Sequence, residues 1–238
     1  MELEPLTISP PPLSVDWQYH LAFRRELLVR CPELPTPKYL LAPEIRALAA
    51  LPINQHHRML LLLLFNTGGR ISEVLCLTPN DVLRHKGRTV IKMRTLKQQR
   101  SKQGRPKEGL VRLVTLYDDQ FANTLEGYIV THCSNKKLPI FRTQQKNSQT
   151  GQRDRPVNSE TARNWLKKIE RIAHKNGLDV LLPLTPKVLR HSAAVHLILN
   201  RMPVKMVQKF LGHKSIQSTE VYTDLLAVDM SYDVQIKF

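Results

Sequence analysis

Cysteine is scarce in this chain. Cys31, Cys76 and Cys133 are the only three in 238 residues, far apart and with no CxxC pair. An odd, scattered set of this kind excludes a disulfide framework and a cysteine-based zinc site, and fits reduced thiols in a cytosol. Long apolar runs are missing too. The longest, Met59 to Phe65, falls far short of the ~20 residues that cross a bilayer. The opening MELEPLTISPPP carries acids where a secretory signal carries bases, and no apolar h-region follows. The sequence therefore predicts neither secretion nor a membrane anchor, and it holds no internal repeat.

Acids are also in the minority. There are 36 lysines and arginines against 20 aspartates and glutamates, a formal charge of +16, and the pI is near 10.0. Such an excess says nothing about fold, but it favours polyanionic partners: DNA, RNA or an acidic membrane surface. Hydrophobic residues make up 42% and mean hydropathy is −0.30, too apolar for a disordered basic tail. The length supports one sizeable core or two small ones.

The patterning reads as mostly α with a small antiparallel β-sheet. Pro5, Pro10, Pro11 and Pro12 predict an extended arm over residues 1–13. An amphipathic helix is expected over Asp16 to Arg30, with Trp17, Leu21, Phe23, Leu27 and Leu28 as its stripe. Pro32, Pro35 and Pro37 then make a linker. Pro43 suits the first turn of a helix through Ile45, Leu48 and Leu51. Arg58 to Phe65, apolar all round, predicts a buried helix. Thr67-Gly68-Gly69 punctuates before a short helix, Ile71 to Leu77.

Period-2 alternation in RTVIKMRTL (Arg88 to Leu96) and LVRLVTL (Leu110 to Leu116) predicts a β-hairpin. Its connection, Gln98 to Gly109, carries Arg100, Lys102, Arg105 and Lys107 against one acid, Glu108. After a polar loop, Thr143 to Arg155, comes a helix with Trp165, Ile169 and Ile172 on one side. Thr185 is an N-cap and Pro186 a helix opener for a segment reaching about Leu199. Pro203 starts another helix, which Gly212 ends. Ser215 to Leu226 adds one or two short helical turns.

Four segments stand in order along this frame: TGGRISEVLCL (Thr67 to Leu77), TPKVLRHSAAVHL (Thr185 to Leu197), LGHKSI (Leu211 to Ile216) and STEVYTDLL (Ser218 to Leu226). Singly, each has an ordinary structural use, as a packing arginine, a basic helix face, a helix-stop histidine or a half-buried core tyrosine. In this order and spacing they make the chain resemble the tyrosine recombinase (phage integrase) family over roughly Leu41 to Leu226.

The resemblance implies the family's catalytic-domain fold and a site-specific cut in double-stranded DNA through a 3′-phosphotyrosyl bond, with no metal, cofactor or ATP. Tyr222 is then the nucleophile. Arg70 and Arg190 are the phosphate clamp, since a guanidinium is always charged and donates two parallel hydrogen bonds. His213 donates to a phosphate oxygen. Glu73, one helical turn from Arg70, is expected to orient that arginine and to take no part in the chemistry.

The family's hairpin lysine, which protonates the 5′-oxygen, is assigned to Lys97, with Lys102 and Lys107 as competitors. Arg94, Arg100, Lys102, Arg105 and Lys107 are read as DNA-backbone contacts. Lys187 stands where the family most often has histidine. A free lysine has a pKa of about 10.4, so Lys187 is expected to serve as a phosphate-binding cation, with the tyrosine proton passing to water or to His213.

Residues 1–40 are too few for a usual independent core and are read as a Pro-rich arm plus a short helix, the remnant of a core-binding region; residues 41–238 are read as the catalytic domain with its tail. Leu225, Leu226, Val228 and Met230 suggest a tail that packs in cis or docks on an adjacent protomer, as in a DNA-bound homo-tetramer. The expected setting is the cytoplasm, on plasmid or nucleoid DNA, with resolution, integration or inversion as the task. Two other readings stay open: a type IB topoisomerase-like relaxing enzyme, and a non-catalytic DNA-binding accessory protein.

Overall fold

A computed structural model describes residues 16–30, 38–94, 111–143, 145–146, 151, 153–178, 180 and 182–222. The expected proline-rich arm and linker, Lys97, Arg100, Lys102, Arg105, Lys107 and the tail beyond Tyr222 lie outside the described residues.

The helices are α1 (Trp17–Arg30), α2 (Ala42–Ala50), α3 (Gln55–Thr67), α4 (Ile71–Leu75), α5 (Asp119–His132), α6 (Ser159–Lys175), α7 (Pro186–Leu199) and α8 (Val204–Leu211). Residues 217–222 are also helical. Three antiparallel strands, β1 (Val82–His85), β2 (Arg88–Arg94) and β3 (Val111–Thr115), form one sheet in the order β1-β2-β3. The chain is mostly α with a small antiparallel sheet.

Helix α3 is the axis. Asn54 caps it by accepting from the His56 amide at 2.8 Å. Leu60, Leu61, Leu63 and Leu64 are all 0% exposed, because α2, α4, α5, α6 and α7 surround it. Burying each leucine contributes roughly 1.5–3 kcal/mol. The helix stops at Gly68, whose φ of +54° is left-handed. A Cβ at Gly68 would lie 2.5 Å from Leu211 Cδ2 and 3.3 Å from Ala193 Cβ. The end of α3, the middle of α7 and the end of α8 therefore meet where no side chain fits.

Helix α1 packs on this body. Trp17 stacks on His196 of α7, with centroids 5.7 Å apart and planes 9° from parallel. Arg24, only 3% exposed, donates to the Tyr39 carbonyl at 2.6 Å and to Glu44 of α2. Ser192 of α7 accepts from the Leu40 amide at 2.8 Å.

Helix α4 is shorter than the expected Ile71 to Leu77, ending at Leu75 with Cys76 as its cap. On α6 the buried stripe is Ala162, Leu166, Ile169 and Ala173, and Trp165 and Ile172 flank it half-buried. Strand β1 adds a hairpin the sequence reading lacked. Lys86 and Gly87, both at positive φ (48° and 78°), make the two-residue turn to β2. Helix α5, capped by Asp118 and burying Phe121, Leu125 and Tyr128, was also not anticipated.

In β3, Val114 is buried and Leu113 exposed. Arg112 shares the inward parity of Val114 and lies opposite the fully buried Met93. A charged residue thus points at the core from the middle of a strand.

The convergence at Gly68 generates a prediction. Gly68→Ala is expected to lower unfolding free energy by about 1–3 kcal/mol, from overpacking and from the left-handed backbone, read as a reduced urea midpoint with an unchanged m-value.

Candidate active site

Arg70 follows the Gly68-Gly69 turn and opens α4. Its Nη1 donates to Glu73 Oε1 at 2.8 Å and its amide to Oε2 at 3.1 Å. That carboxylate is 1% exposed. Burial alone would raise its pKa, but hydrogen bonds and charge from Arg112 and Arg70 outweigh burial and hold it below the ordinary value. The expected orienting role of Glu73 toward Arg70 is present as geometry.

Arg112 was not anticipated. Its Nη2 donates to Glu73 Oε2 at 2.8 Å and its Nε to the Phe210 carbonyl at 3.0 Å. Its Nη1 is buried with no hydrogen-bond partner among the described residues. The guanidinium lies so close to Gly212 that a Cβ there would meet Arg112 Cδ at 3.0 Å and Nη1 at 3.1 Å. Gly212 also has φ +70° as the cap of α8, so backbone and space both demand glycine. The one sequence signal for Arg112 was its parity with Val114 and Leu116.

Helix α7 begins as expected, with Thr185 Oγ1 accepting from the Val188 amide at 3.2 Å and Pro186 at the first position. Arg190, half-buried one turn further on, donates to the Gly68 carbonyl at 2.6 Å and the Leu211 carbonyl at 2.9 Å. Burial, then the charges of Arg70 and Arg112, lower its pKa to about 10. Two of its N–H groups lock the turn after α3 to the end of α8.

His213 follows Gly212, and its Nδ1 lies 2.9 Å from Thr219 Oγ1. Burial and the charges of Arg190, Arg70, His191 and Arg112 push its pKa down to about 4. Tyr222 is 2% exposed, and its hydroxyl lies 2.6 Å from Nδ1 of His191. Burial raises the phenol's pKa and the charge of Arg190 opposes that rise. His191 is driven down to about 4 by burial, Lys187 and Arg190. At neutral pH both rings are therefore uncharged. His213 does not hold the phenol; His191, which the sequence reading left as part of a basic face, does.

Arg70, Arg190, His213 and Tyr222 come together within one chain. Lys187 is exposed and lines a cleft of about 890 Å³ with Arg70 and Arg190. Arg163, Lys167 and Arg171 of α6 line the same cleft with one carboxylate, Glu170, which accepts from the Leu184 amide at 3.1 Å. These α6 cations were missed, because on a helix read for its apolar side they pass for a solvated face. Arg94, 63% exposed, is ion-paired with Asp81 at 3.2 Å. Among the described residues no helix is long and apolar enough to cross a membrane.

Residues 38–228 match the phage integrase family. The chain is 35% identical over 237 residues to the resolvase of Escherichia coli (strain K12), covering 95% of this chain and 85% of that protein. It is 33% identical over 235 residues to a probable site-specific recombinase in the afa region of Escherichia coli, covering 99% of this chain and 88% of that one. Among solved structures, XerH site-specific recombinase bound to palindromic difH substrate, a post-cleavage complex, has a similar fold. The TM-score is 0.56 at 21% identity, over 83% of this chain and 53% of that one. With the family match spanning most of its length, the chain belongs to the phage integrase family: it is a tyrosine recombinase, an enzyme that breaks and rejoins DNA.

Proposed function

We propose that this enzyme cuts at a specific DNA site by attack of Tyr222 on the scissile phosphorus and serves plasmid resolution, integration or inversion in the bacterial cytoplasm. The convergence of Arg70, Arg190, His213 and Tyr222 from four separate segments carries the reading. A phosphodiester resists attack because its non-bridging oxygens repel the nucleophile and its 5′-alkoxide leaves poorly. Arg70 and Arg190 answer the first problem with fixed positive charge, held before substrate arrives by Glu73 and by the Gly68 and Leu211 carbonyls. His213, neutral and steered through Nδ1 by Thr219, offers its other ring nitrogen to a phosphate oxygen.

The departing 5′-oxygen takes its proton from Lys97, with Lys102 and Lys107 as alternatives on the same connection. Lys187 adds a cation at the cleft wall. The phosphotyrosyl bond conserves the energy of the broken linkage, so a 5′-hydroxyl displaces tyrosine without ATP. Arg163, Lys167 and Arg171 join Arg100, Lys102, Arg105 and Lys107 as backbone contacts. Arg94 contributes less, because Asp81 already neutralises it.

The working assembly is a homo-tetramer on DNA in which residues beyond Tyr222 dock on an adjacent protomer. Supporting this are the apolar Leu225, Leu226, Val228 and Met230 and a mostly apolar cleft of about 760 Å³ among Trp17, Ile45, Phe65, Leu197, Met206 and Phe210. Residues 1–40 are a reduced core-binding region whose helix α1 packs on the body.

Three outcomes are expected. Wild-type protein incubated with plasmid DNA and denatured yields a covalent adduct whose DNA, once sequenced, gives the site. Tyr222→Phe abolishes that adduct and leaves DNA affinity within about twofold, since the substitution removes one hydroxyl and no charge. Because the tyrosine and both arginines share one chain, a mixture of Tyr222→Phe and Arg190→Ala also gives no adduct; cleavage restored by mixing would contradict attack in cis.

Arg70→Lys keeps the charge and removes the fork, so single-turnover cleavage should fall about 10²–10³-fold. Near-normal cleavage would rule out a bidentate clamp. Finally, if the basic walls neutralise about 6–10 phosphates, affinity should drop about 10³–10⁵-fold between 50 and 200 mM salt, measured by fluorescence anisotropy.

A further inference from the structure

We infer that His191 is the catalytic base that removes the phenolic proton of Tyr222 as it attacks, and the acid that returns it on rejoining. The inference rests on the reading of Tyr222 as nucleophile and adds the proton's destination.

The geometry carries it. His191 Nδ1 stands 2.6 Å from Tyr222 Oη, and the rings are tilted by 59° with centroids 5.5 Å apart. A proton moves along that line without either residue shifting. At 2% exposure, Tyr222 leaves solvent little approach to its hydroxyl. The other candidates are occupied or unsuited. His213 directs Nδ1 at Thr219 Oγ1, 2.9 Å away. Lys187 lies on the cleft wall one turn before His191, and an ammonium has no lone pair to accept a proton.

The charges around the pair work in the same direction. Lys187 and Arg190 on α7, His213 after α8 and Tyr222 itself are the titratable and charged groups whose interactions with the His191 ring are resolved. Burial first, and then the two cations, keep the imidazole neutral, with its lone pair available. A bound phosphodiester brings a negative charge that offsets them and moves the imidazole back toward a useful basicity, while Arg190 still favours the phenolate.

The step balances. The Tyr222 O–H bond breaks and its proton goes to Nδ1 of His191. An O–P bond forms to Tyr222, the P–O5′ bond breaks, and the 5′-oxygen takes a proton from the hairpin lysine assigned above. In the reverse step the 5′-hydroxyl attacks and returns its proton to that lysine, the P–O bond to Tyr222 breaks, and the leaving tyrosine oxygen recovers its proton from the imidazolium.

The test is single-turnover adduct formation on a nicked duplex of the sequence recovered from wild-type adducts, followed from about pH 6 to pH 9 for wild type, His191→Gln and His191→Ala. Thermal midpoints and DNA affinity are measured alongside. Both variants are expected to bind DNA like wild type and to cleave about 10²–10⁴-fold slower at pH 7. Their rates should then climb about tenfold per pH unit as hydroxide takes over the proton, so the deficit shrinks toward pH 9. A deficit that stays constant across the range, or cleavage at the wild-type rate, overturns the assignment of His191 alone. An adduct formed by Tyr222→Phe overturns the nucleophile, and this inference with it.

Discussion

The whole site hangs on one buried carboxylate. Glu73 receives Arg70 from its own helix and Arg112 from the sheet, both at 2.8 Å. Removing a carboxylate from water costs several kcal/mol, and only close, hydrogen-bonded partners repay it. Here three donors do so, counting the Arg70 amide at 3.1 Å. The pairing fixes the orientation of Arg70. Through the Arg112 bond to the Phe210 carbonyl it also fixes the approach of α8 to the sheet, and with it the turn that presents His213. Two guanidiniums on one carboxylate leave a net positive charge in the interior. That residue of charge helps to depress both Arg190 and His213.

The site is consequently a set of cations held against their own repulsion. Arg190 is lowered to about 10 by burial, Arg70 and Arg112, and the anion that would relieve it is a phosphodiester. Rigidity keeps the cations in place meanwhile. Arg190 ties the Gly68 carbonyl to the Leu211 carbonyl, and the missing Cβ at Gly68 lets α3, α7 and α8 close on one point. Charge is thus prepaid in the fold, which is the condition under which fixed donors stabilise a transition state far better than water does.

Much of this was legible in the sequence because it is written in local signals. Thr185-Pro186, Pro203, Gly68 and Gly212 mark helix ends by backbone chemistry that needs no tertiary context, and all four do so in the structure. Alternation gave β2 and β3. The elements that were missed lack a strong local signature. Strand β1 has four residues of which three are exposed, so no apolar alternation announces it. Helix α5 buries Phe121, Leu125 and Tyr128 between polar residues and Gly127, a pattern easily passed over. The partners of the site are long-range facts: Arg112 lies 39 residues from Glu73 and Tyr222 lies 31 from His191. Only folding discloses that the inward arginine of a strand is the counter-ion of a helix carboxylate.

Lys187 shows how one charge acts on a neighbouring ring. A histidine at that position would be able to accept a proton near neutral pH; a lysine there contributes charge. That charge falls on His191, four residues on and one turn away, where it joins burial and Arg190 in keeping the imidazole unprotonated. The two histidines of the site share a depressed basicity but differ in partner, His213 facing the Thr219 hydroxyl and His191 facing that of Tyr222. The lysine adds to burial in lowering the basicity of its neighbour and contributes a cation to the wall of the cleft, two uses of one charge that a histidine would not supply at neutral pH.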